Sequence, residues 1–179
     1  MFIDIVGFTK YGDNHALRNA VRRLQETIDD LFEHLKWDEE QGSNDAIMIP
    51  TGDGYDIGFE PSRVPDDEIL RYAGTLSTKL RQLQMPIRMG INKGPCWVHL
   101  DLNAQLNIAG WGIIDAARAM ACGGPNHILC TGQFAEPHLQ SKSNPGLHRI
   151  GIRSFKSRQL TLFNYYSKKK EFGNPSAPK

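Results

Sequence analysis

The sequence predicts an α+β sandwich: a mixed or antiparallel sheet with helices packed on it. Three observations point there. Apolar residues recur at helical spacing in two long stretches, Leu17 to Leu35 and Ile69 to Leu83. Short β-prone runs alternate with those stretches along the chain. Two pairs of these runs are joined by turns too short for a parallel crossover.

The elements follow in order. Phe2-Ile3-Asp4-Ile5-Val6 reads as a strand closed by Gly7. Asn14 caps a long helix whose stripe is Leu17, Val21, Leu24, Ile28, Leu31 and Leu35, with Arg22, Arg23, Glu26, Asp29 and Asp30 largely outside it. The stripe is too short for a sustained coiled-coil seam, so it packs on the sheet. Asp38 to Asp45 is a polar loop. Ala46–Ile49 and Tyr55–Phe59 form a hairpin about the tight turn Pro50-Thr51-Gly52-Asp53-Gly54. Asp66 and Asp67 open a second amphipathic helix that stops before Pro86. Strands are expected at 87–92 and 96–102, split by Lys93-Gly94-Pro95, then an Ala-rich helix over 113–121 and a strand over 127–130. Residues 134–139 give at most a helical turn, broken at Pro137. Strands at 149–153 and 159–166 close a single domain over residues 1–167, and 168–179 reads as a solvated tail led by three lysines.

Composition excludes several functions. The chain has 179 residues, 21 Lys plus Arg against 20 Asp plus Glu, and a net charge of +1. That balance argues against wrapping nucleic acid by bulk charge. The 40% apolar and 23% charged fractions suit a globular domain. No apolar run approaches the length that spans a bilayer. Cys96, Cys122 and Cys130 show no metal-ligand spacing and read as small core thiols of a cytoplasmic protein. The start has neither a basic region nor a leader-length apolar stretch. Its first strand begins almost at residue one, which leaves room for a short natural lead-in upstream of Met1.

Three groups of residues could carry chemistry. Asp4 lies inside an apolar strand, where a carboxylate needs a partner, and Asp53 sits on a glycine-flanked turn. Two carboxylates on adjacent strand ends can share hard cations and serve an in-line phosphoryl displacement. On spacing alone the plainer alternative stays open: an aspartate chosen for the turn, and an unrelated edge aspartate. Gly7-Phe8-Thr9 leads from a strand into a helix and exposes backbone N–H groups to phosphate, a pattern shared by many such turns. Arg118 on the Ala-rich helix and Lys156 near the closing hairpin are cations that could equally be solvated surface charge.

Together the motifs are more specific. Phe2-Ile3-Asp4-Ile5-Val6-Gly7-Phe8-Thr9 resembles the opening signature of class III nucleotidyl cyclases, and Thr51-Gly52-Asp53-Gly54-Tyr55 resembles their second metal motif. Arg88-Met89-Gly90-Ile91-Asn92-Lys93-Gly94-Pro95 is similar to their next strand and turn, with Asn92 where His is common. Gly110 to Arg118 is similar to the glycine-led helix that carries their transition-state arginine. Order and spacing agree from residue 2 to about residue 166.

The resemblance implies a ferredoxin-like class III cyclase fold and a head-to-tail homodimer with two interfacial sites. Asp4, Asp53 and the carbonyl of Ile5 would hold two divalent ions, Mg²⁺ or Mn²⁺. Gly7, Phe8 and Thr9 would receive the β- and γ-phosphates. Arg118 of the other subunit would stabilise charge at the α-phosphate. Lys156 falls near the family's phosphate lysine, although Ser157 replaces the usual glycine. The implied reaction is attack of the ribose 3′-hydroxyl on the α-phosphate, releasing pyrophosphate.

Three departures bear on substrate. Ile114 stands where the family has a ribose-holding Asn, with Asp115 next and three residues before Arg118, so placed to face the same way. Ile49 stands where adenylate cyclases carry Lys and guanylate cyclases Glu. Asn107 stands where adenylate cyclases commonly carry Asp, and an amide both donates and accepts. With no attached sensor, the chain is similar to bacterial pyrimidine cyclases of phage defence, whose cyclic UMP or cyclic CMP activates a separate effector protein. The expectation is a cyclase acting on UTP, then CTP. The alternatives are an adenylate cyclase with an atypical pocket, and a non-catalytic cyclase-homology module that binds nucleotide or dimerises.

Overall fold

The structure, a computed structural model, describes residues 1–35, 37–38, 43–140, 146–156, 158–169 and 171–178. The strands are β1 (Phe2–Ile5), β2 (Trp37–Asp38), β3 (Ser43–Asn44), β4 (Ala46–Pro50), β5 (Gly54–Phe59), β6 (Ile87–Ile91), β7 (Cys96–Leu100), β8 (Leu106–Gly110), β9 (Ile128–Thr131), β10 (Leu147–Phe155) and β11 (Arg158–Tyr165). The helices are α1 (Asn14–Phe32), α2 (Asp66–Gln82), α3 (Trp111–Ala121) and α4 (Gly132–Gln140).

Seven strands form one sheet in the order β10-β11-β9-β6-β1-β5-β4. All neighbours are antiparallel except β6 and β9. The unit β1-α1-β4-β5-α2-β6 is a ferredoxin-like split βαβ, with β1 central between β6 and β5. The α+β class, the mixed sheet and the ferredoxin-like core expected from sequence are all present.

Strand alternation sorts the two faces of the sheet. Ile3 and Ile5 are buried with Leu24, Ile28 and Phe32 of α1 and Leu70, Tyr72 and Leu76 of α2. Asp4, between them, therefore faces the opposite layer. That layer is α3, whose Ala119 packs with Leu129, Leu160 and Leu162 in a second, smaller core. Gly90 lets α3 lie close: a Cβ there would stand 1.9 Å from the Ala116 carbonyl oxygen.

Several expectations needed correction. Asp13, not Asn14, caps α1, accepting from the Ala16 N–H at 2.8 Å. The stripe's end at Leu35 belongs to a 3₁₀ turn over Glu33–Leu35. Of the expected loop at 38–45, residues 39–42 lie outside the described residues, and Trp37–Asp38 pairs with Ser43–Asn44. Strand β7 does not pair with β6; it leaves the sheet and pairs with β8, a strand not expected from sequence. Pro137 lies within α4 rather than breaking a single turn. Cys130 is buried, Cys122 is half-buried and Cys96 is exposed, so only one thiol is a core residue.

The solvated tail expected after residue 167 also differs in the structure. Phe172 is buried against Tyr165, with ring centroids 4.6 Å apart. Asn164 donates to the Asn174 carbonyl at 2.7 Å, and Asn174 donates to that of Pro125 at 2.8 Å. Lys170 lies outside the described residues. No helix among the described residues is long and apolar enough to cross a membrane.

Candidate active site

The carboxylate pair is built by adjacency of β1 and β5. Asp4 stands opposite Gly54, and the Ile5 N–H donates to the Asp53 carbonyl at 3.0 Å, which ties the hairpin tip to the end of β1. Gly54 is required there, since a Cβ would sit 1.9 Å from the Ile3 carbonyl oxygen. Asp4 and Asp53 are thus neighbours, as the sequence suggested. Asp4 is buried, and Arg88, its register partner on β6, donates from Nε to Asp4 Oδ2 at 2.6 Å. Burial raises the Asp4 pKa most; the Arg88 hydrogen bond opposes that rise, and the Asp53 carboxyl adds to it. Arg88 was not singled out from sequence.

Gly7-Phe8-Thr9 follows β1 after Val6. Phe8–Lys10 forms one 3₁₀ turn, closed by the Lys10 N–H donating to the Gly7 carbonyl at 2.8 Å. The loop therefore stands at the same end of β1 as the carboxylates.

On α3, Trp111, Asp115 and Arg118 lie at i, i+4 and i+7 and share one face. Asp115 is fully buried and accepts from Arg118 Nη1 at Oδ1, 3.0 Å away, as its spacing suggested. Arg158 at the start of β11 places Nη2 2.9 Å from Asp115 Oδ2. The Arg158 guanidinium lies 4.6 Å from the Trp111 ring centroid, and that of Arg118 lies 5.6 Å from it. Ile114, on the same helix, is exposed. Lys156 is exposed at the β10–β11 turn with φ 46; Ser157 lies outside the described residues.

The two expected base-facing residues sit on different elements. Ile49, on β4, is half-buried and stands opposite Asp56 of β5. Asn107, on β8, accepts from the Ile108 N–H at 2.7 Å. Asp56 was missed from sequence. It is a cross-strand neighbour of both Ile49 and Phe2, so it shares the sheet face of Asp4. It is buried, and its Oδ1 has no hydrogen-bond partner among the described residues. Burial raises its pKa, opposed by the nearby N-terminal amine and the Ile57 N–H. Asn92 braces the backbone: it donates to the Gly112 carbonyl at 3.0 Å and accepts from Thr131 Oγ1.

The β7–β8 hairpin projects apolar residues outward. Trp97 is 63% exposed, Leu100 62% and Leu102 105%. These exposed apolar side chains lie on an arm that stands outside the seven-stranded sheet.

No cluster of three or more His, Cys, Asp or Glu ligands occurs among the described residues. Asp4, Asp53 and the Ile5 carbonyl offer hard oxygens of the kind that Mg²⁺ or Mn²⁺ takes. Two crowded carboxylates, one with a raised pKa, call for added positive charge. The residues present fit the ions that the fold family implies.

No protein-family model matches the chain. The fold is that of class III cyclase catalytic domains. The guanylate cyclase domain of RhGC from Catenaria anguillulae, solved in complex with GTP, matches with a TM-score of 0.73 at 18% identity, covering 93% of each chain. The adenylyl cyclase CyaB from P. aeruginosa matches with a TM-score of 0.74 at 17% identity, covering 96% of this chain and 94% of that one. Guanylate cyclase beta of Plasmodium berghei (strain Anka) is 21% identical over 203 residues, taking in 100% of this chain. The chain spans 6% of that protein's length.

Proposed function

We propose that the chain is a nucleotidyl cyclase, converting a nucleoside triphosphate to a 3′,5′-cyclic nucleotide and pyrophosphate. One observation carries this reading: Asp4 and Asp53 stand together at the end of β1 from which the Gly7-Phe8-Thr9 loop leaves. A lone turn aspartate would not need a buried carboxylate beside it. Clustered acids at one strand end suit divalent cations bound to phosphate.

In this reading Asp4, Asp53 and the Ile5 carbonyl hold two divalent ions, Mg²⁺ or Mn²⁺. When bound, these ions polarise the phosphate and lower the pKa of the attacking hydroxyl. The N–H groups of Gly7, Phe8 and Thr9 receive the terminal phosphates. Arg118 supplies positive charge where it develops on the α-phosphate and the leaving pyrophosphate, and Lys156 adds a mobile cation at the rim. Such chemistry is chiefly positioning and electrostatics.

The active form in this account is a homodimer joined through the β7–β8 arm, with each site drawing Asp4 and Asp53 from one subunit and Arg118 from the other. The exposed arm supports that arrangement.

The base assigned is a pyrimidine, UTP ahead of CTP. Ile49 offers no charge or hydrogen bond to a purine edge, and Asn107 offers an amide. The cyclic pyrimidine product would act on a separate effector protein in phage defence, as in the cyclases that the sequence resembles. The solved structures named above are adenylyl and guanylyl cyclases. Incubation with Mn²⁺ and each of UTP, CTP, ATP and GTP, with pyrophosphate release followed, tests the reading. Release with ATP alone points to an adenylate cyclase with an altered pocket, and release with none points to a non-catalytic module.

A further inference from the structure

We propose that Arg158 and Arg118 form a paired-guanidinium clamp for the polyphosphate of the substrate, and that Asp115 is the positioning residue that sets it. The clamp's ligand class rests on the cyclase reading above. Its geometry does not.

The charges do not balance. Asp115 is one carboxylate, fully buried, and it meets two guanidiniums: Arg118 at 3.0 Å and Arg158 at 2.9 Å. Neither arginine has another acidic partner among the described residues. One unit of positive charge is therefore left over. A buried carboxylate is costly to hold unless it is paired; here Arg118 donates a hydrogen bond to Oδ1, and Arg158 meets Oδ2 as an ion pair without the geometry of a hydrogen bond.

The arginines are also oriented. Trp111 lies beneath both guanidiniums, and Phe155 lies 5.9 Å from that of Arg118. These distances place both guanidiniums within cation–π reach of an aromatic ring, which adds to their hold on α3 and the hairpin. Arg118 is 24% exposed and Arg158 31%, so neither is sealed in the core. Each guanidinium has more N–H donors than Asp115 can accept. Two preset forks with excess positive charge suit adjacent phosphates, where bidentate N–H···O pairs form.

The site is assembled from separate elements. Trp111, Asp115 and Arg118 come from α3. Phe155 and Arg158 are register partners that close the β10–β11 hairpin. Lys156 is in that turn but is exposed, and it has no ion pair among the described residues. Arg158, not Lys156, is the cation held beside Arg118.

Inorganic tripolyphosphate is the probe, titrated calorimetrically into the full chain in metal-free buffer. The wild-type protein should bind it. Arg158→Met should weaken binding by at least about tenfold, the size of one charge-assisted pair. Arg158→Lys should recover only part of that loss, because the charge returns without the fork. Lys79→Met, which removes a charge from the opposite layer, should have no effect. Asp115→Asn is the most telling variant. Bulk electrostatics says that removing a negative charge strengthens anion binding; loss of the positioning carboxylate weakens it. Weaker binding by folded Asp115→Asn, checked by its circular dichroism, supports the clamp. Absent binding by wild type, or equal binding by wild type and Arg158→Met, overturns it. If tripolyphosphate binds through Arg158 and no nucleotide is cyclised, the cyclase reading fails and the clamp stands. If nucleotide is cyclised and Arg158→Met leaves KM and kcat unchanged, the clamp fails and the cyclase reading stands.

Discussion

Arg88 donates from Nε to Oδ2 of Asp4 across 2.6 Å, joining residues 84 positions apart in the chain. The guanidinium steadies a buried carboxylate that also meets Asp53. Asp4 is thus held in place and ready for added positive charge without being buried unpaired.

Removal of either member of the carboxylate pair should abolish turnover. Asp4→Ala and Asp53→Ala should each lower kcat by at least about a hundredfold, comparable with loss of a major electrostatic contact in a site. Circular dichroism should show the fold retained. Initial rates near wild type in either variant would contradict the shared-ion account.

Activity should be divided between subunits. Asp4→Ala and Arg118→Ala, each inactive alone, should regain activity when mixed. Recovery should approach about a quarter of the wild-type rate, because random exchange makes about half of the dimers mixed and each keeps one intact site. Exchange is verified by differential tagging, and absence of recovery after it would place the whole site within one chain.

The arm should govern assembly. Leu100→Glu puts a charge on the exposed apolar hairpin and should shift the protein toward monomer in light scattering, with activity falling in parallel. A dimer of unchanged stability would move the interface elsewhere.

Asp56 predicts a pH dependence of stability. Burial raises its folded pKa above the ordinary 3.8. The sign follows from linkage: between the unfolded and folded values the native state binds the extra proton, so this group's contribution is fully present below 3.8 and is lost as pH rises through the folded value. Asp56→Asn carries no such titration. The Tm difference between the variant and wild type should therefore move in the variant's favour as pH rises from about 4 toward neutrality. Parallel Tm profiles would remove Asp56 as a buried titrating group.

Base preference should depend on Asn107. Asn107→Ala should lower kcat/KM for the preferred pyrimidine nucleotide by about 1–3 kcal/mol of transition-state stabilisation, and should harm ATP turnover less. An unchanged preference in this variant, together with a changed one in Asp56→Asn, would make Asp56 the base reader.

Much of this site was legible in the sequence because its signals are local. An aspartate between Ile3 and Ile5 breaks an apolar strand, and Asp53 lies between two glycines. Asp115 precedes Arg118 by less than one helical turn. The missed features are long-range. Arg88 and Arg158 are ordinary strand arginines until folding sets them against Asp4 and Asp115. Strand β8 was missed because Leu106-Asn107-Ile108-Ala109-Gly110 is a short run with one β-branched residue and two small ones, although Ile108 is buried in the fold. In the tail, a single apolar residue, Phe172, anchors a segment whose composition is otherwise that of a solvated end.

Mass-spectrometric identification of the product tests the central claim most directly. The wild-type protein is incubated with Mn²⁺ and an equimolar mixture of UTP, CTP, ATP and GTP. The account predicts a 3′,5′-cyclic nucleotide and pyrophosphate in equal amounts, with cyclic UMP dominant. Cyclic AMP or cyclic GMP as the main product would contradict the pyrimidine assignment. No cyclic nucleotide from any triphosphate, with the protein folded and dimeric, would contradict the cyclase itself.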